Sequence, residues 1–126
     1  MKLIGWIAAG GAVGAVARYG VMILAAQLWG SAFPWGTLTV NVVGSFILGA
    51  LVEIFALVWS PGEGVRAFLV VGMLGAFTTF STFSLDVATL YERGALVTTA
   101  AYIIVSITLS IAALFAGLWV VRTALA

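Results

Sequence analysis

The segment 72–83, GMLGAFTTFSTF, decides how the rest of this chain is read. It lies inside a hydrophobic run long enough to cross a bilayer, yet it combines two glycines with Thr78, Thr79, Ser81 and Thr82, interleaved with Phe77, Phe80 and Phe83. Such residues are poor helix formers, because glycine loses most freedom on ordering and short hydroxyl side chains compete for nearby backbone groups. In hydrocarbon, irregular backbone is tolerated only where protein buries it or it lines a cavity. The stretch therefore predicts a third span broken near its middle, with Gly75 and Thr78 straddling the break. Carbonyls freed there would suit a small hard cation of the alkali type, since no carboxylate accompanies them. The alternative is a simple kink relieved by threonine hydroxyls.

Composition places this segment in an all-α membrane protein. Of the 126 residues, 64% are hydrophobic and only 7% charged, and the mean hydropathy is +1.28, well beyond what one soluble core requires. A spanning helix takes roughly 20 apolar residues, so the chain accommodates four transmembrane helices, at about 3–28, 37–59, 65–91 and 95–125, in a single transmembrane domain covering 1–126. There is no cysteine, which excludes disulfides, and no histidine, which removes the commonest metal ligand and neutral-pH base; the sequence holds 0 of each. A net charge of +1 gives no nucleic-acid partner a handle. The N-terminal run is preceded by Lys2 but continues as a full span containing Arg18, so cleavage as a signal peptide is not expected.

In the first span, Gly10, Gly14 and Arg18 recur at four-residue steps and so lie near one helix face. The glycines permit close helix approach. Arg18 is costly at depth unless it pairs, faces water or snorkels, so it is either a functional residue or an anchor at the helix end. The connection 29–36, WGSAFPWG, combines turn formers with two tryptophans, as at a headgroup boundary. Asn41 and Ser45 in the second span share a face; a buried amide there either joins two helices or points into an aqueous path. Glu53 lies in the last third of that span, before the turn at Pro61 and Gly62. In the fourth span, Thr98, Tyr102, Ser106 and Ser110 form a slowly spiralling polar stripe, each four-residue step turning about 40°. It reads either as hydroxyls bonded back to their own helix or as the lining of a path. Lys2, Arg66 and Arg122 fall at one membrane surface and Arg93 at the other, a weak bias that permits either one orientation or insertion in both.

The phenylalanines add a second property. Phe77, Phe80 and Phe83 recur every three residues, and an aromatic ring carries a positive edge without a net charge. Beside the Asn41 amide and the hydroxyl stripe, they describe a lining of weak neutral donors suited to an anion; packing against neighbouring spans is the alternative for each ring alone.

Four segments, GGAVGAVARY (10–19), WGTLTVNVVGSFILG (35–49), GMLGAFTTFSTFS (72–84) and the set Tyr102, Ser106 and Ser110, together resemble the Fluc, or CrcB-type, fluoride ion channel family across essentially the whole chain. The resemblance implies a passive fluoride-selective channel in the cytoplasmic (inner) membrane, which exports fluoride and relieves its toxicity. It also implies an antiparallel, dual-topology homodimer with two pores. It assigns Asn41, Phe80 and Phe83 to the fluoride path, Ser81 and Thr82 to a polar track beside it, and Tyr102, Ser106 and Ser110 to the contribution of the fourth span. Arg18 matches the first-span arginine of the family. A structural sodium ion at the dimer centre is implied, held by the backbone carbonyls of Gly75 and Thr78 from both subunits. Many members carry Gly-Gly where this chain has Gly75 followed by Ala76, a difference that matters only if the second position requires a positive φ.

Two other readings are open. A small multidrug-type, proton-coupled transporter would need a carboxylate in the first span, and that span has none. A membrane assembly subunit without transport activity would account for Gly14, Gly44 and Gly49 but not for the clustered hydroxyls. No nucleophile, base and metal constellation points to an enzyme.

Overall fold

A computed structural model describes residues 2–125. The regular structure of the described residues is helical: α1 is Lys2–Trp29, α2 is Trp35–Leu57, α3 spans 63–77, α4 is Phe80–Glu92 and α5 is Leu96–Leu125. Taken with α3 and α4 as one span, four segments are long and apolar enough to cross a membrane. Large apolar side chains such as Val16, Val97 and Phe115 lie 71%, 85% and 63% exposed, the inverse of a soluble fold and the surface a lipid environment solvates.

The helices stop where the backbone can reverse. Gly30 adopts φ +78 and Gly94 φ +80, the left-handed region in which a side chain is strained. The Gly30 N–H donates to the Ala26 carbonyl at 2.9 Å, closing α1. At the end of α4 the Gly94 N–H reaches Tyr91 O at 3.0 Å and the Ala95 N–H reaches Leu90 O at 3.1 Å, a Schellman closure. Pro34 precedes α2, where its missing N–H is no loss, and Gly62 precedes α3.

Two close helix pairs frame the molecule, α2 against α5 and α1 against α3. Both depend on missing side chains. A Cβ on Gly117 would come within 2.8 Å of the Ala50 nitrogen, and one on Gly49 would strike the Leu114 carbonyl. On the other pair, a Cβ on Gly72 would lie 2.9 Å from the Gly11 nitrogen, while Gly10 and Gly14 face the backbone of Phe68 and Met73. Backbones this close gain dispersion contacts that replace the absent hydrophobic drive between helices in lipid. Residues Ala67–Leu74 of α3 wind as a π-helix, a wider turn than the sequence pattern suggests, and it is this turn that meets α1.

One end of the bundle is fastened by charge. Arg122 donates to Glu53 through Nη2–Oε1 at 3.0 Å and Nε–Oε2 at 3.4 Å, joining the last turns of α5 and α2. Nearby, the Arg66 guanidinium lies 5.0 Å from the centroid of the Phe55 ring, tying α3 to α2.

Replacing Gly49 with Val should push α2 from α5 and destabilise the fold by about 1–3 kcal/mol, the usual cost of overpacking. Gly5, with open space around it, should accept Ala without loss. Thermal unfolding in detergent, followed by circular dichroism, separates the two; equal midpoints would show that the Gly49 contact is not tight.

Candidate functional site

Thr78 and Thr79 join α3 to α4 in an extended conformation, with φ −87, ψ 158 and φ −153, ψ 119. Two adjacent β-branched residues favour such backbone, and the polar groups it frees must find partners inside the protein. Thr78 closes α3: its N–H and its Oγ1 both donate to the Leu74 carbonyl, at 3.1 and 3.0 Å. Thr79 opens α4 as its N-cap, its Oγ1 accepting from the Thr82 N–H at 3.0 Å. Gly75 is helical at φ −61, ψ −36, so the extended residues lie after it, at Thr78 and Thr79. Ala76 is also helical, and no non-glycine residue among those described has a positive φ; the Gly75–Ala76 pair imposes no backbone strain.

Asn41 crosses to this joint from α2. Its Nδ2 donates to the Thr79 carbonyl at 3.0 Å, and its Oδ1 accepts from the Thr79 N–H at 2.8 Å. Because the backbone N–H can only donate and the carbonyl only accept, the orientation of the carboxamide is fixed. Asn41 is thus a link between helices, and it retains one N–H that is not used in the pair.

Arg18 reaches the same region from α1, its Nε donating to the Ala76 carbonyl at 3.0 Å. A cation at the C-terminal end of α3 is favourably placed with respect to the helix dipole. Gly10, Gly14 and Arg18 all face α3, the glycines by backbone approach and the arginine by hydrogen bond. The carbonyls of Gly75 and Thr78 receive no hydrogen bond from the described residues, and Gly75 is exposed on the surface of the single chain.

A cavity of about 340 Å³ opens beside the joint. Asn41, Gly75, Thr78, Phe80, Phe83, Ser106 and Ser110 line it together with Ser45 and Thr79, and none of its lining side chains is charged. Phe80 is 76% exposed and Phe83 only 8%, their ring centroids 5.5 Å apart. Ser106 is 5% exposed, and its hydroxyl finds no hydrogen-bond partner among the described residues.

Other expected site residues stand outside the lining. Tyr102 is fully buried, its ring 5.2 Å from Phe83 and 5.4 Å from Phe33, and its hydroxyl donates to Asp86 Oδ2 at 3.0 Å. It supports Phe83 from behind. Ser81 is exposed, with its Oγ 3.4 Å from Thr79 Oγ1, and Thr82 enters through its backbone N–H. Phe77 belongs to α3 and packs at Gly44, because the extended residues break the three-residue rhythm it would otherwise share with Phe80 and Phe83. Sequence reasoning did not single out Thr79 as a hub or Asp86 as the partner of Tyr102. A threonine three residues before Thr82, at the start of a helix, was the available signal for the first; nothing local marks the second. Among the described residues no three acidic, histidine or cysteine side chains converge as a metal-binding group.

Comparison with known proteins adds an independent line. Residues 5–118 match the family described as CrcB-like protein, Camphor Resistance (CrcB). A Rhodospirillum centenum protein named fluoride-specific ion channel FluC is 56% identical over 126 residues, covering 100% of both chains. Proteins of the same name from Agrobacterium fabrum and a Chelativorans species are 55% identical over 115 residues and 53% identical over 116. The first covers 91% of this chain and 92% of the relative; the second covers 92% and 93%.

Proposed function

The chain belongs to the CrcB family, and from that premise we propose that it is a passive, fluoride-selective channel of the cell (cytoplasmic or inner) membrane. It is a multi-pass membrane protein and not an enzyme. The observation that carries the reading is the cavity beside Thr78 and Thr79, lined by an amide, hydroxyls and two phenylalanines with no charged side chain. Fluoride is small and strongly hydrated, so a path for it must replace water without trapping the ion. A fixed ammonium or guanidinium in the lining would hold it too firmly. The remaining Asn41 N–H and the positive edges of Phe80 and Phe83 are weak neutral donors that meet the requirement. Ser110 continues this lining, with Ser81 and Thr82 in a polar track beside it and Tyr102, Ser106 and Ser110 as the contribution of the fourth span.

In this reading 63–92 is one span broken near its middle at Thr78 and Thr79, and two copies assemble antiparallel, with two pores per dimer. Gly75 and Phe80 line the cavity and are exposed in the single chain; a second copy covering them would complete the wall, and residues near a two-fold axis meet their own counterparts. The carbonyls of Gly75 and Thr78, left without donors, fit a sodium ion: four oxygens from two chains, with no carboxylate, are ligands for an alkali cation. Such an ion would supply positive charge at the dimer centre and tie the two joints together. Export by proton-coupled exchange has less support, because Glu53 is engaged by Arg122 and Asp86 by Tyr102.

Purified protein in liposomes carrying a fluoride gradient tests the function with a fluoride electrode. Wild type should release fluoride quickly and chloride slowly. Replacing Phe80 or Phe83 with Ile should lower fluoride efflux about ten-fold through loss of the ring edges while the dimer persists on size exclusion; unchanged efflux in both variants would assign the rings to packing alone. The chain contains 0 cysteines, so single cysteines introduced at Ser31 and Glu63 report orientation directly. Dual insertion predicts that an impermeant thiol reagent labels roughly half of each variant from outside, and one-sided labelling would rule it out.

A further inference from the structure

Three groups of Thr79 are engaged at once. Its N–H and carbonyl close the two-point bond with Asn41, at 2.8 and 3.0 Å, and its Oγ1 caps α4 through the Thr82 N–H at 3.0 Å. One residue therefore sets both the plane of the Asn41 carboxamide and the direction in which α4 leaves the joint. The direction of α4 in turn places Phe80 and Phe83, the first and fourth residues of the helix. Tyr102 completes the chain of support, packing on Phe83 at 5.2 Å while its hydroxyl is held by Asp86 on the same helix.

We infer that Thr79 is a positioning residue for selectivity: it fixes the Asn41 amide and the two phenylalanine rings in one mutual arrangement around the cavity. The inference rests on the fluoride-channel reading and deepens it. Selectivity among halides depends on donors that cannot follow the ion, since a lining free to expand would admit chloride as readily as fluoride. The two-point bond removes rotation of the carboxamide, and the cap removes fraying of the first turn of α4, where both rings sit. A threonine in this position performs both tasks, because the extended backbone presents its N–H and carbonyl to α2 while its side chain turns toward the helix that follows.

The test uses the full chain, with two readouts that move independently. Amide hydrogen exchange in micelles, resolved by NMR, reports the clamp, and vesicle efflux reports the ratio of fluoride to chloride permeability. Thr79→Val keeps the size and the β-branch but removes the cap; the Thr82 amide should exchange about five-fold faster, the equivalent of a lost helix cap, and the permeability ratio should fall. Thr79→Ser restores the hydroxyl and should restore both readouts. In Asn41→Ala the Thr79 amide loses its acceptor and should exchange faster.

A Thr79→Val protein with faster Thr82 exchange but an unchanged permeability ratio would overturn the inference, because the cap would then serve only stability. A fallen ratio with unchanged Thr82 exchange would also overturn it, assigning the hydroxyl to direct contact with the ion. Wild-type protein that carries no fluoride would refute the channel reading itself, and the exchange of Thr79 in Asn41→Ala would still decide whether the clamp exists.

Discussion

The two-point hydrogen bond between the Asn41 carboxamide and the backbone of Thr79 is the interaction on which the rest of this structure depends. A chain inside hydrocarbon must satisfy its own backbone polar groups, each one left bare costing several kcal/mol by order of magnitude. Extended residues between α3 and α4 are therefore possible only if neighbours supply partners. Asn41 supplies two from α2, Arg18 one from α1, and Thr78 and Thr79 bond back to the helices on either side. Carbonyls that no neighbour reaches, those of Gly75 and Thr78, lie beside the cavity, where irregular backbone is tolerated.

This arrangement needs a rigid frame, and the glycines provide it. Gly49 and Gly117 bring α2 and α5 into backbone contact, and Gly10, Gly14 and Gly72 do the same for α1 and α3. Asn41 sits on α2 and Arg18 on α1, so the two helices that reach the joint are each held by a partner they touch closely. The Glu53–Arg122 pair then fixes the far ends of α2 and α5. A buried carboxylate left without Arg122 would carry a large penalty, which gives the pair a structural purpose and leaves neither member free for ion exchange.

Much of this was legible in the sequence, and the limits have physical causes. Four helices long enough to cross a bilayer follow from apolar runs and turn residues, signals that are local and strong. The structure brings Asn41, Phe80, Phe83, Ser106 and Ser110 around one cavity, a meeting of α2, α4 and α5 that depends on packing between distant segments. Tyr102 packs against Phe33 with its hydroxyl on Asp86, a pairing that spacing within one helix does not announce. Phe77 departs from the rhythm of Phe80 and Phe83 because periodicity holds only within a continuous helix. The partner of Arg18 and the pairing of Glu53 with Arg122 join residues 58 and 69 positions apart, which no local pattern can announce. The π-helical stretch at Ala67–Leu74, which packs on α1, is likewise unmarked by any local residue pattern.

The central claim is that a cavity of neutral, weak donors held by this joint conducts fluoride in preference to other anions. A planar bilayer containing the purified protein, with fluoride and chloride on both sides in opposed concentration gradients, tests it through the potential at which current reverses. The account predicts reversal near the fluoride equilibrium potential, insensitive to the pH gradient. Reversal that follows chloride, or that moves with an imposed proton gradient, would contradict it.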